Sequence, residues 1–281
     1  MQDLRVIVPE RDVNTTLSQL GIDFIDLDEP SITPQLVSRT VRGRRGGFKG
    51  RSQVDSTELE LKIRYRALTK LEFVEMERRV KHLFSHQEKM TIVTMHSYDP
   101  LYNYEKIGEF VSGVTQLYEL YRYDVVLSDN FSINRDGLRA DITISLETDG
   151  IPYRYYTEKT INLAEFDSRK GDEFTYKFTN SGNIKQNSRE FPFYMEASGM
   201  SYKSIKLSLN DSTYQSNVTA LPTSVITFDG YATYLNGLNR VKDTNYGVVN
   251  IVEGVNEMKL TFTGIATGTP KGFIRFKEYL D

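Results

Sequence analysis

Residues 224–264 read SVITFDGYATYLNGLNRVKDTNYGVVNIVEGVNEMKLTFTG, and this stretch decides the fold class. Asp229-Gly230, Asn236-Gly237 and Gly254-Val255-Asn256 are turn sequences set between short apolar runs, the signature of strand, turn, strand, turn, strand. In the last run Met258, Leu260 and Phe262 alternate with Lys259, Thr261 and Thr263, the period of two shown by a strand with one buried face. The spacing predicts an antiparallel meander. Such a sheet presents edges and loops, and nothing in the stretch clusters a nucleophile, a base or metal ligands. It reads as a module that presents a surface.

Upstream of it, residues 191–195 and the trio Ile205, Leu207 and Leu209 add further short alternating runs. Close-set strands divided by turn residues predict a sandwich or jelly roll. The first part of the chain is also mainly β. Residues 4–8 and 22–27 read as short strands, and Leu59, Leu61, Ile63 and Tyr65 alternate with Glu58, Glu60, Lys62 and Arg64. One helix follows: Thr69 stands three residues before Glu72, a capping-box spacing, and Phe73, Met76, Val80, Leu83 and Phe84 recur at helical intervals to about residue 87. Strands resume at 90–95, 107–111 and 117–127, and after the Asp136-Gly137 turn at 142–146. The polar, glycine-containing residues 157–185 mark the junction between two domains, which suits the 281-residue length.

Composition narrows the classes. The chain has no Cys and no Trp, a net charge of -3, and 12% aromatic residues supplied by Tyr and Phe alone. Without cysteine there is no disulfide framework and no thiolate metal site. Residues 1–10 hold no apolar core of signal-peptide length, and no uncharged run approaches the roughly 20 residues of a spanning helix, so neither signal-led export nor membrane insertion is expected. The near-neutral charge predicts no general attraction to nucleic acid or anionic lipid.

One segment departs from that balance. Residues 39–51, RTVRGRRGGFKGR, carry six positive charges and no negative one among four glycines, and read as a loop. The spacing is not that of a phosphate-binding loop, which needs G-x-x-x-x-G-K-[ST] between a strand and a helix. The plain reading is a solvated loop. The functional reading is a subunit interface in which Arg42, Arg44 and Arg45 meet acidic groups of a neighbour and Phe48 is the apolar anchor.

Other candidates fare less well. His82 and His86 are one helical turn apart, as in zinc proteases, but residue 83 is Leu where the general-base Glu would stand. Tyr118, Tyr121, Tyr123, Tyr153, Tyr155 and Tyr156 could stack on sugar rings, yet tyrosines of this kind more often pack across strands. Three scattered histidines and no G-x-S-x-G elbow give no hydrolase. No catalytic residue, metal or cofactor is expected.

The order of these features resembles the distal tail proteins of long-tailed, non-contractile bacteriophages. The resemblance rests on VRGRRG (residues 41–46), ELELKIRY (58–65), Asn180-Ser181-Gly182, FPFYMEASG (191–199), SVITFDG (224–230) and GVNEMKL (254–260). It implies a mainly β protein with one helix. An N-terminal β-sandwich-like, ring-forming domain (1–160, helix about 70–87) would precede a C-terminal galectin-like sandwich or jelly roll (161–281). It also implies a hexameric ring in the virion tail tip, assembled after synthesis in the bacterial host cytoplasm. That ring would join the tail tube protein to tail-tip, baseplate or receptor-binding proteins, with DNA only as cargo through its channel. The family's members lack catalytic residues and cofactors. The alternative is a glycan-binding or host-adhesion sandwich that touches cell-surface saccharide.

Overall fold

The computed structural model describes residues 2–29, 35–40, 47–53, 56–84, 88–97, 117–128, 132–165, 167–170, 173–264 and 267–281. They form two compact units, Met1–Arg154 and Tyr155–Asp281. In the first, the strands are β1 (Gln2–Val8), β2 (Val13–Thr16), β3 (Ile22–Asp28), β4 (Gln35–Thr40), β5 (Gly47–Gln53), β6 (Glu58–Arg66), β7 (Met90–Ser97), β8 (Leu117–Leu127), β9 (Ser132–Asp136) and β10 (Arg139–Thr148). Among the described residues one α-helix, α1 (Lys70–Phe84), lies between β6 and β7.

Hydrogen bonding runs antiparallel in the order β2-β1-β7-β8-β10-β6-β3, with β9 beside β10. The sequence accounts for its inner face. Leu4, Val6 and Val8 of β1, Met90 and Ile92 of β7, Leu59, Leu61, Ile63 and Tyr65 of β6, and Ile142, Ile144 and Leu146 of β10 share one buried cluster, because alternate side chains leave a strand on the same side.

Helix α1 closes this core with the stripe expected of it: Phe73, Met76, Val80, Leu83 and Phe84 are buried, and the Phe73 ring lies 5.2 Å from that of Tyr65. Its start is capped by Thr69, whose Oγ1 accepts the Glu72 N–H at 3.2 Å. Glu72 in return accepts the N–H of Leu68 at 2.8 Å, one residue earlier than a standard box.

One expectation for this unit changes. Residues 39–51 are not a loop throughout, since β4 and β5 pair as a two-stranded sheet with Arg39 opposite Phe48 and Thr40 opposite Gly47; glycine weakens a strand without forbidding it. Strand β6 lies inside the sheet, flanked by β10 and β3. The expected strand at 107–111 lies outside the described residues.

The second unit is a sandwich of two antiparallel sheets. Its strands are β11 (Arg154–Asn162), β12 (Asp167–Lys170), β13 (Glu173–Asn180), β14 (Gln186–Asn187), β15 (Phe193–Ser201), β16 (Ser204–Leu209), β17 (Ser212–Ser216), β18 (Ile226–Phe228), β19 (Thr233–Leu235), β20 (Leu238–Asn239), β21 (Asn250–Ile251), β22 (Gly254–Thr263) and β23 (Thr267–Leu280). One layer runs β11-β23-β15-β18-β19-β20 and the other β12-β13-β22-β16-β17, with β14 and β21 as a small separate pair. Aromatic contacts pin the layers together. Tyr214 of β17 stacks on Phe228 of β18 with centroids 4.0 Å apart, and Phe178 of β13 meets Phe276 of β23 at 5.1 Å.

The polar residues 157–185 contain β11, β12 and β13, and the two units divide just before them, at Arg154 and Tyr155. Their polarity comes from outward faces, while Ile161, Phe174 and Phe178 enter the core. The meander is also revised. Strands β18, β19 and β20 do follow one another as hairpins, with the Asn236-Gly237 turn at φ 50° and 80°, the left-handed pair that a tight hairpin demands. Strand β22, however, crosses to the other layer and lies between β13 and β16. A period of two identifies which face is buried, and it is silent on the partner strand.

Two buried asparagines hold the turn that launches β22. Asn256 accepts the Val252 N–H at 3.0 Å and donates to the carbonyls of Val252 (2.8 Å) and Gly254 (2.9 Å). Asn180 donates to the same Val252 carbonyl at 3.1 Å and accepts the Gly182 N–H at 3.1 Å. Both side chains are fully enclosed, and buried polar groups are tolerated when satisfied in this way.

Phe262, 1% exposed and packed on Phe174 and Tyr202, tests the sandwich. Phe262→Ala should destabilise the C-terminal unit by about 3–5 kcal/mol, read by denaturant unfolding. Val255→Ala, on the same strand but 71% exposed, should change stability by less than about 0.5 kcal/mol.

Candidate interaction surfaces

Turning Leu59 and Leu61 inward forces Glu58, Glu60, Lys62 and Arg64 onto the outer face of β6. There the register with β3 and β10 sorts charge along the strand. At one end opposite charges meet: Arg64 lies between Asp23 and Asp141 in register, and its Nε is 2.5 Å from Asp141 Oδ1. Arg139 reaches the same carboxylate at 3.0 Å. These two guanidiniums hold the Asp141 carboxyl below its ordinary range.

The other end is acidic. Asp28 stands directly opposite Glu60, and Glu58 directly opposite Glu147, and like charges so placed repel. Lys62 is the cation in their midst, 3.4 Å from Glu60 and 3.7 Å from Asp28. Its ammonium is pushed above the ordinary lysine range, first by the hydrogen bond to Glu60 and then by the charges of Glu60, Asp28 and Asp26. Here the surface opens into a groove of about 240 Å³ lined by Asp28, Glu58, Leu59, Glu60 and Ser145.

On the core side of β6, the helix shows solvent an apolar stripe distinct from its buried one. Leu71 is 73% exposed and Val74 63%, and Leu68, just ahead of the capping Thr69, is 88% exposed. Exposed Arg78 continues the line one turn on, with exposed Arg79 beside it. Glu77, by contrast, is engaged: Lys81 lies 2.6 Å and Arg135 2.7 Å from its carboxylate.

The sequence-derived candidates fall as follows. Arg42, Arg44 and Arg45 lie outside the described residues, and Phe48 belongs to β5 opposite Arg39. His82 is exposed on α1 and its carbonyl accepts from Arg11 at 2.7 Å, while His86 lies outside the described residues. His96 is on β7, 3.3 Å from Gln2. No group of three His, Cys, Asp or Glu among the described residues could hold a metal ion, and none of their helices is long and apolar enough to cross a membrane.

The tyrosines are divided in role. Tyr123 is buried, and burial, followed by the charge of Glu29, pushes its hydroxyl well above the ordinary range. Tyr121 lies under Arg154 at 4.4 Å, and Tyr155 packs edge-on against Tyr279 at 5.9 Å. Tyr118 and Tyr156 are the more exposed members, at 43% and 38%.

The sequence reading passed over the acidic groove and the exposed helix stripe. The stripe had a signal, since Leu68, Leu71 and Val74 recur at intervals of three off the buried face. The groove had none, because Asp28, Glu60 and Glu147 are brought together by strand register alone.

The described residues form a mainly β architecture with one α-helix and a β-sandwich C-terminal unit. It is similar to the crystal structure of SPP1 Dit (gp 19.1), described as a paradigm of the hub adsorption apparatus in phages infecting Gram-positive hosts, with 13% identity, 98% of each chain covered and a TM-score of 0.60. A chain of the phage p2 baseplate in its activated conformation also aligns, over 99% of this chain and 98% of that one, at 9% identity and a TM-score of 0.46. No protein-family model and no curated relative matches the sequence.

Glu77 supplies a pH test. Its carboxyl is held below the ordinary range, first by the hydrogen bond to Lys81 and also by Arg135. A depressed carboxyl contributes stability above its unfolded value, about 4.3, and loses it as pH falls through the lower folded value. Glu77→Gln should therefore melt earlier than wild type near neutrality, and the gap should close on acidification to about pH 3. Thermal unfolding across that range reads it.

Proposed function

We propose that this chain is a structural subunit of a bacteriophage tail, a ring-forming hub between the tail tube and the tip or baseplate. The observation that carries the reading is the likeness to SPP1 Dit across 98% of both chains. In this reading the N-terminal unit builds the ring, a hexamer by analogy, and the C-terminal sandwich stands outside it. Tube protein binds one side, baseplate or receptor-binding proteins the other, and DNA passes through the channel. The protein acts by assembly, without catalysis or cofactor.

Physical features support the choice. Strands β4 and β5 form a sheet of only two strands, an arrangement marginal in water on its own, and the segment joining them is the most basic of the chain. Contact with a neighbour's carboxylates would complete it.

A glycan-binding module is the second reading, favoured by two exposed tyrosines of the C-terminal unit, Tyr231 at 79% and Tyr246 at 60%. Tyr246 is also held at φ 51°, a conformation uncommon for a bulky residue and often met at functional sites.

Native mass spectrometry with negative-stain imaging separates the two. The hub reading expects discrete rings with a central channel; a monomer that binds cell-wall polysaccharide would replace it with the second. Arg44→Glu combined with Arg45→Glu should shift the assembly to smaller species while the melting profile stays as in wild type. An unchanged native mass in that double variant removes the basic segment from the interface.

A further inference from the structure

We propose that the acidic groove at the Glu58 end of β6 is the acceptor for helix α1 of a second copy of this chain. Arg78 and Arg79 would enter the groove, and Leu68, Leu71 and Val74 would pack along its rim. The inference rests on the reading of the chain as a ring subunit and names the joint that closes the ring.

A ring needs a head-to-tail contact, in which each subunit offers two unlike and mutually complementary surfaces. The N-terminal unit has such a pair. Helix α1 packs on the core side of β6, through Phe73 against Tyr65, whereas Glu58 and Glu60 leave β6 on the other side. The two surfaces therefore look away from each other, and one copy's helix cannot occupy its own groove without dismantling the core between them.

The charges match. Asp26, Asp28 and Glu60 gather around Lys62, with Glu58 opposite Glu147 one step further along the strand, and two of the cross-strand pairs there are like-charged. A sheet that kept such pairs for stability alone would be poorly chosen, as the balanced Asp23-Arg64-Asp141 row a few residues along the same strand shows. Arg78 and Arg79 have no acidic partner among the described residues, unlike Lys81 and Arg135, which share Glu77. A guanidinium is suited to the site because its planar fork bonds two carboxylate oxygens at once.

The apolar part matches too. Leu71 and Val74 on the helix and Leu68 just before its cap are among the most exposed large hydrophobic residues of the described chain, and such groups gathered at one place mark a covered surface. Beside the groove Ile25, 43% exposed, stands at the bulge of β3 next to Asp26 and offers an apolar contact on the receiving side.

Charge exchange tests the pairing. Three proteins are compared by native mass spectrometry over a dilution series: wild type, Arg78→Glu with Arg79→Glu, and Glu58→Lys with Glu60→Lys. Each variant alone should lose the ring, with assembly weakened at least about tenfold. An equimolar mixture of the two should regain it, because every Glu-bearing helix then meets a Lys-bearing groove. Thermal melts check that each variant is folded. Should either fail that check, Leu71→Asp on the same helix face carries the test, with the same loss expected.

If wild type forms rings and both charge variants form them equally well, the pairing is overturned and the hub reading stands. If the mixture fails to regain assembly that both variants have lost, the two surfaces do not face each other and the pairing is again overturned. If wild type is a monomer at every concentration, the hub reading itself falls and takes the pairing with it.

Discussion

The alternation along β6 is the constraint on which the N-terminal unit depends. Leu59, Leu61, Ile63 and Tyr65 must all face inward to fill the space beneath α1, so Glu58, Glu60, Lys62 and Arg64 must all face out. The strand sits between β10 and β3, which leaves no freedom to slip, since a shift of one residue would carry every apolar side chain into water and every charge into the core. Because the register is fixed by packing, the arrangement of surface charge is fixed with it. The opposition of Glu58 to Glu147 and of Asp28 to Glu60 follows from where the core residues must lie.

In the C-terminal unit the corresponding constraint is the placement of β22. Met258, Leu260 and Phe262 supply the centre of the β12-β13-β22-β16-β17 layer, and the strand reaches that position only if the chain turns sharply before Gly254. The turn is set by Asn180 and Asn256, whose amides converge on the Val252 carbonyl from two adjacent strands. Gly182, beside Asn180, packs so closely on the backbone of Tyr279 that any added Cβ would strike its carbonyl. The sequence motifs that carried the family resemblance, Asn180-Ser181-Gly182 and Gly254-Val255-Asn256, are thus the two halves of one polar clasp.

Much of this architecture was legible because it is local. The capping residues of α1, its buried stripe, the alternation in β6 and β10 and the Asn236-Gly237 hairpin all lie within a few residues of one another in sequence. What escaped is long-range. Strand β22 reads as the end of a meander until its partners β13 and β16 are known, and β11 to β13 carry no clear strand signal because each buries only part of a polar-looking run. Glycines in residues 39–51 argued for loop, yet a ladder of backbone hydrogen bonds between β4 and β5 outweighs their preference. The acidic groove belongs to the same class. Asp28, Glu58, Glu60 and Glu147 come from three strands, and no window of sequence contains them together, whereas the basic segment that first drew attention is a single run.

The surface of the N-terminal unit retains features that cost a lone subunit stability or solubility. Two like-charged cross-strand pairs, three exposed large apolar residues on the helix and just before its cap, and a sheet of two strands among the described residues each disfavour an isolated molecule. Any one of them could be tolerated on a monomer. Their distribution is more informative than their number, because the acidic groove and the apolar and basic helix face lie on opposite sides of β6. A two-fold dimer through the groove side would set groove against groove, bringing carboxylates together. A head-to-tail joint sets groove against helix and relieves both at once, and such joints either propagate without end or close into a ring. The polarity of this one strand, apolar toward the helix and acidic toward the groove, therefore places two unlike surfaces on opposite sides of the unit, an arrangement suited to a head-to-tail contact and unsuited to a two-fold contact through the groove.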